Sequence, residues 1–285
     1  MAARQEFFNL ELKNFLPHPD SCPEKLLEAM KYSLYAGGKR LRPILLFAAA
    51  EVCGGKLDAA LPHAVALEMV HTYSLIHDDL PAMDDDDLRR GKPSSHKVFG
   101  EATAILAGDA LLTHAFSVAA KGVHEDPQRR LAAVAELAKA AGPVGMVAGQ
   151  AMDIEQGKKD ASSVNDIHRC KTGALIKAAV RIGAIISGAG ARVIHGLTQY
   201  ADSLGLAYQI ADDILDTTAT IDQLGKNPGS DERKGKDTFV TVHGIEGARI
   251  MLAAETSRAI KALSNQEGDY TLLEELAQYL GSRGE

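Results

Sequence analysis

Three observations predict an all-α fold for this chain. Alanine and leucine abound while aromatic residues make up only 5% and tryptophan is absent, a composition that favours helices over a β-sandwich. No stretch shows the apolar–polar alternation of a half-buried strand. Apolar segments of helical length are instead separated by Gly, Pro and polar clusters. With 285 residues, 46% of them hydrophobic, the chain can bury a sizeable core. No linker or short internal repeat divides it, so one domain over residues 1–285 is expected.

The elements follow in order. Phe7, Phe8, Leu10, Leu12 and Phe15 are spaced loosely like one helix face, and Pro17 and Pro19 end that segment. Ser21 then reads as an N-cap, with Glu24 as capping-box partner and Pro23 in the first turn, for a helix reaching about Tyr35. Gly37-Gly38-Lys39-Arg40-Leu41-Arg42-Pro43 comes next. Two glycines open the backbone and three cations follow. At a helix start Lys39 and Arg42 would point the same way, as donors to a diphosphate; the alternative is a plain basic loop. The P-loop spacing is missing.

Residues 44–52 read as a buried helix ended by Gly54-Gly55. Residues 62–76 are strongly apolar and helical, with His71, Ser74 and Asp78 on one face at i, i+3 and i+7. Residues 103–120 form another helix, and residues 128–150 give one or two around Gly142-Pro143. Ser162 or Ser163 is placed to cap a helix carrying Asp166, His168, Lys171 and Thr172 that runs on to Ile186. Lys171 is unusual there, because an unpaired buried charge is costly. A diphosphate, or the counter-ion of a developing cation, supplies a reason for it; snorkelling to solvent is the alternative. Residues 200–216 and 238–280 are helical. Between them, residues 217–237 are polar and long for a loop, and they carry Lys226 and Lys236, as a phosphate-covering lid would.

The chemistry concentrates at residues 77–91. Six aspartates (Asp78, Asp79, Asp84, Asp85, Asp86, Asp87) fall within ten residues, and Arg89 and Arg90 follow at once. Crowded carboxylates repel one another, so divalent cations are the natural reason to gather them. Mg²⁺ prefers hard oxygen ligands and shares its sites with substrate phosphates, for which the arginines offer forked donors. A solvated acidic turn would explain the run alone, but it closes an apolar helix. A second group, Asp212-Asp213-Ile214-Leu215-Asp216, also follows an apolar helical segment. Two such motifs read as facing halves of one metal site. Asp212 and Asp216 share a helix face, with Gln209 one turn before them.

Composition excludes several classes. Net charge is −7, with no basic patch carrying interleaved aromatics and no zinc-ligand spacing. Cys22, Cys53 and Cys170 are isolated and fit a reducing compartment as small buried residues. The N-terminus lacks a signal-type apolar core, and the longest uninterrupted apolar run, residues 44–50, is far too short to span a bilayer. A soluble, cytoplasmic protein is expected.

These motifs together resemble the trans-isoprenyl diphosphate synthases, most closely the bacterial-type farnesyl diphosphate synthases. The resemblance rests on Gly37 to Pro43, His71 to Asp84, Leu88-Arg89-Arg90-Gly91, Lys171-Thr172-Gly173 and Gln209 to Asp216, in that order and spacing. It implies helices around a deep central cavity and a homodimer. It implies Mg²⁺, more than one ion per site, held by Asp78, Asp84 and Asp212, with Asp79, Asp213 and Asp216 close by. Arg89, Lys171, Thr172, Gln209, Lys226 and Lys236 would hold the allylic diphosphate, and Lys39, Arg42, His71 and Arg90 isopentenyl diphosphate. Lys171, Thr172 and Gln209 would steady an allylic carbocation. Residues 227–234 depart from the spacing of many relatives, which bears on Lys226 and Lys236.

The implied reaction joins isopentenyl diphosphate to dimethylallyl and geranyl diphosphate, giving (2E,6E)-farnesyl diphosphate. Tyr73 stands five residues before Asp78, about 7.5 Å deeper along a helix axis. With Ser74 beside it, it resembles the chain-length floor of C15 synthases; a geranylgeranyl (C20) product is the alternative. A class I terpene cyclase is a rival, opposed by Asp212 to Asp216 and by Lys39 and Arg42. A non-catalytic synthase subunit is another, opposed by two intact acidic motifs. A calcium-binding protein lacks the EF-hand spacing.

Overall fold

The computed structural model describes residues 1–122, 126–155, 160–218, 236–264, 266 and 268–282. It is built of helices: α1 (Ala2–Glu11), α2 (Glu24–Leu34), α3 (Leu41–Val52), α4 (Leu57–Asp78), α5 (Ser95–Phe99), α6 (Glu101–Ala120), α7 (Pro127–Ala141), α8 (Met146–Ile154), α9 (Ala161–His168), α10 (Ala174–Ile186), α11 (Ala191–Thr218), α12 (Phe239–Leu263) and α13 (Thr271–Gly281). A π-helical turn, Arg169–Gly173, joins α9 to α10 without a break. Among the described residues the only strands are β1 (Leu88–Arg89) and β2 (Lys92–Pro93), an antiparallel pair of two residues each.

Helix α10 is largely buried and packs on α3, α7 and α11. Beside it, α4 lies between α3 and α6, and α12 runs along α11. The main apolar core joins residues of α3, α4, α6 and α10 to the first half of α11 and to α13. A smaller cluster, with Ile210 and Ile214 of α11 and Phe239 and Leu252 of α12, sits under the second acidic motif. Thr238 and Thr241 form a reciprocal cap that starts α12 there.

Several expectations are corrected. Ser21 does not cap α2: it closes a short 3₁₀ turn, its hydroxyl donating to the His18 carbonyl at 2.8 Å, and α2 starts after Pro23. Asp160, not Ser162 or Ser163, caps α9, accepting from the Ser163 amide at 2.8 Å. A carboxylate three residues upstream is the stronger acceptor for these amides. α4 begins at Leu57, five residues before Pro62, because burial of its first turns against the core outweighs the amide that proline lacks. The cysteines are unpaired and half-buried rather than fully buried, and burial pushes the Cys53 thiol up to about 11. By length and composition α6 could cross a membrane, as could the 28-residue stretch Pro127–Ile154. Counting only uninterrupted apolar runs missed both. Here α6 lies against α4, and a turn separates α7 from α8.

Candidate active site

The site begins where α4 ends. A helix C-terminus carries partial negative charge, and α4 places Asp78 and Asp79 there. The chain folds straight back, and the Asp84 amide donates to the Asp78 carbonyl at 2.8 Å. Asp84 thereby returns to Asp78. Burial pushes the Asp78 carboxyl up to about 6; Asp84 and Asp79 add to the shift, while Lys171 and Arg89 oppose it. A half-buried acid at a helix C-terminus among other acids is a poor arrangement for water and a good one for a divalent cation. Asp212 is half-buried on α11. No three Asp, Glu, His or Cys side chains among the described residues form a ready-made metal cage.

Facing these acids is a chain of charges. Lys171, on the π turn, donates to Asp153 of α8 at 2.7 Å. Lys236 donates to Asp84 at 3.0 Å and to Asp153 at 3.4 Å. Lys171 therefore has a protein partner that the sequence reading did not find. Asp153 is a single acid in an apolar helix, with no charge run to mark it; its one signal is Gln150 one turn before. α8 lies close to the π turn because residue 149 is glycine: a Cβ there would stand 2.1 Å from the Lys171 amide nitrogen.

A second chain fixes Gln209. Its carbonyl oxygen accepts from the Thr172 hydroxyl at 3.0 Å, and its amide donates to Asp213 at 2.8 Å. Asp213 in turn accepts from the Phe239 amide at 2.9 Å. The second motif thus presents its three acids unequally: Asp213 and Asp216 are buried, and Asp212 is turned further outward.

The cations after the first motif sit on the β1–β2 hairpin. Arg89 is held by Asp79, Nε to Oδ1 at 2.9 Å, and by Asp86 at 3.3 Å. Arg90 has positive φ and donates to the Gly37 carbonyl. Gly38, at φ +115°, takes a backbone conformation that strains any other residue, and the Arg90 guanidinium lies against it. Lys39 and Arg42 do not share a helix face, because Arg40 takes left-handed backbone (φ 51°) and α3 starts only at Leu41. Lys39 is exposed, whereas Arg42 points into the protein. Its Nε is buried and finds no hydrogen-bond partner among the described residues. Burial holds the His71 imidazole well below its usual range, and Arg42, Arg90, Arg89 and Arg40 press it further down. Neutral histidine amid arginines marks a pocket of positive potential.

Asp78, Lys171, Thr172, Arg42, His71 and Ser74 all line one cavity of about 360 Å³, and Tyr73 and Met146 also line it. Of the remaining predicted residues, Lys226 lies outside the described residues.

Residues 23–280 match the family model described as polyprenyl synthetase. The chain belongs to the polyprenyl synthetase family. It is 49% identical to a farnesyl diphosphate synthase of Geobacillus stearothermophilus, over 92% of this chain and 89% of that protein. It is 48% identical to a large subunit of a heterodimeric geranylgeranyl pyrophosphate synthase of Arabidopsis thaliana, over 86% of this chain and 68% of that one. A solved FPP/GFPP synthase from Zymomonas mobilis superposes with a TM-score of 0.88 at 37% identity, covering 98% of this chain and 96% of that one.

One half-buried residue, placed by the sequence reading only as a member of its helix, also packs beside the second acidic motif. His168 stacks on Phe239 with ring centroids 5.1 Å apart, and its Nε2 lies 3.7 Å from Asp213. Burial pushes its imidazole down to about 4, with Asp153 opposing and Lys171 and Lys236 assisting. The folded value is below the unfolded one, so the stabilisation is present above about pH 6.5 and is lost as pH falls through 4. His168→Phe should keep the stack and flatten this part of the acid limb. Denaturant midpoints measured from pH 7 to 4 check it; an unchanged slope would show that His168 is not the group titrating.

Proposed function

We propose that this chain is a short-chain trans-prenyltransferase that condenses isopentenyl diphosphate with dimethylallyl and then geranyl diphosphate, releasing farnesyl diphosphate. The observation that carries the reading is one cavity lined both by charged and polar side chains, Asp78, Lys171, Arg42 and His71, and by larger apolar ones, Tyr73 and Met146. A diphosphate fits the first and a prenyl tail the second.

Asp78, Asp84 and Asp212 would hold Mg²⁺, and the burial and crowding around Asp78 give the donor set its need for a cation. When bound, the metal neutralises charge growing on the departing diphosphate. Arg89, Lys171, Lys236 and Lys226 bind the allylic diphosphate; Lys39, Arg42, His71 and Arg90 bind isopentenyl diphosphate. Loss of diphosphate leaves an allylic carbocation. The Thr172–Gln209 pair, fixed through Asp213, and the Lys171 turn steady that cation by oriented dipoles. The C=C bond of isopentenyl diphosphate attacks it, and the departed diphosphate takes the proton. The apolar cavity keeps water from the cation.

The enzyme acts as one domain and as a homodimer in the cytoplasm. Ile105 and Leu106 on the outer face of α6 are 42% and 58% exposed, an apolar surface suited to a second copy. Purified protein with Mg²⁺, labelled isopentenyl diphosphate and each of dimethylallyl, geranyl and farnesyl diphosphate tests the reading by product chain length. C15 from the first two starters and little from the third is expected. C20 from all three would make it a geranylgeranyl synthase, and no elongation would favour a cyclase or a non-catalytic subunit. Tyr73→Ala should lengthen the product beyond C15; unchanged C15 would remove Tyr73 as the floor.

A further inference from the structure

Tyr73 is itself supported. His77, one turn later on α4, meets it edge-on, with ring centroids 5.7 Å apart and planes at 83°. Both rings line the cavity. His77 is also seated on α6: its Nε2 lies 3.0 Å from the Ile105 carbonyl oxygen, to which it donates, and 3.9 Å from the Asp109 carboxylate. The seat exists because residue 108 is glycine. A Cβ there would stand 2.1 Å from Nε2 and 2.5 Å from the neighbouring ring carbon. Glycine inside a helix weakens it relative to alanine, and the close approach of the His77 ring is what residue 108 provides in return.

We infer that His77 and Gly108 are positioning residues that set product length: Gly108 seats His77 against α6, and His77 braces the Tyr73 ring at the end of the cavity. The inference rests on the reading of Tyr73 as the floor. It predicts opposite effects from two small changes. Removing the imidazole leaves Tyr73 unbraced, so a growing chain can displace it. Adding a methyl at residue 108 drives the imidazole off α6 toward Tyr73 and into the cavity, which shortens it.

The test is the product distribution from dimethylallyl diphosphate and labelled isopentenyl diphosphate with Mg²⁺, for Tyr73→Ala, His77→Ala, Gly108→Ala and the His77→Ala/Gly108→Ala pair. His77→Ala is expected to raise the C20 to C15 ratio at least about fivefold. Gly108→Ala is expected to accumulate C10, and the double variant to behave like His77→Ala, because no ring remains to be displaced. A general loss of packing would lower turnover without moving these ratios in opposite directions. If Tyr73→Ala lengthens the product while His77→Ala and Gly108→Ala keep C15, the brace is wrong and the floor stands. Equal-direction shifts from the two single variants overturn it as well. If Tyr73→Ala itself leaves C15 unchanged, floor and brace fall together. Should Gly108→Ala not fold, His77→Ala decides alone: C20 supports the brace, unchanged C15 overturns it.

Discussion

Asp78→Ala is expected to lower kcat by at least about 10³-fold at saturating Mg²⁺, on the order of 4 kcal/mol of transition-state stabilisation. The size follows from where the carboxylate stands. It closes α4, is half-buried, and lies beside Asp84 and Asp79. Of the acids gathered at that helix end it is the one that lines the cavity, and in a site closed to water such charge interactions weigh heavily. The same placement makes the group a burden to the fold. Its folded value is raised to about 6, so any stability it contributes is present at low pH and lost as pH rises through 6. The metal-free variant should therefore melt no lower than the metal-free parent at pH 7. Steady-state turnover across a Mg²⁺ titration and thermal melts check both parts. Near-parental turnover would remove Asp78 from the metal set.

Arg40→Leu should give the largest loss of stability of any change in the glycine-cation loop. The Arg40 side chain is 1% exposed and donates to Glu68, 2% exposed, at 2.7 Å. It also donates to Asn9 of α1 at 3.0 Å and to the Leu34 carbonyl of α2 at 2.8 Å, with its guanidinium 5.6 Å from the centre of the Phe8 ring. Removing it strands a buried carboxylate, a loss of about 3–5 kcal/mol, which for a chain of this size lowers Tm by roughly 10 °C. Arg40→Leu combined with Glu68→Leu should recover most of that loss, since no charge is then left without its partner. Thermal melts of the three variants decide it. A single variant as stable as the parent would show that the pair is not desolvated.

Arg40 also shows where sequence reading stops. It stands between two residues matched to substrate, and nothing in a run of three cations tells which one turns inward. The left-handed backbone at Arg40 does so, sending Arg42 to the cavity and leaving Lys39 at the surface. By contrast, the aspartate clusters were readable because crowded like charges need a reason, and helical period carried His71, Ser74 and Asp78 to one cavity. Asp153 was not readable: its meaning depends on Lys171 and Lys236 arriving from other parts of the chain. His168 was named among the residues of its helix, but its burial against Phe239 depends on a helix more than 70 residues further on.

The π turn at Arg169–Gly173 constrains how this sequence can drift. Such a turn is an α-helix with one residue too many. Deleting Cys170 would yield an unbroken regular helix, locally more favourable than what is there, yet everything before the deletion would rotate by about 100° relative to α10. The apolar side of α10 would keep its place in the core while His168 was carried around the axis, away from Phe239 and Asp213. A mutation that improves the helix as a helix would thus take away the packing beside Phe239 and Asp213. Length in this segment is consequently less free to change than the identity of its residues.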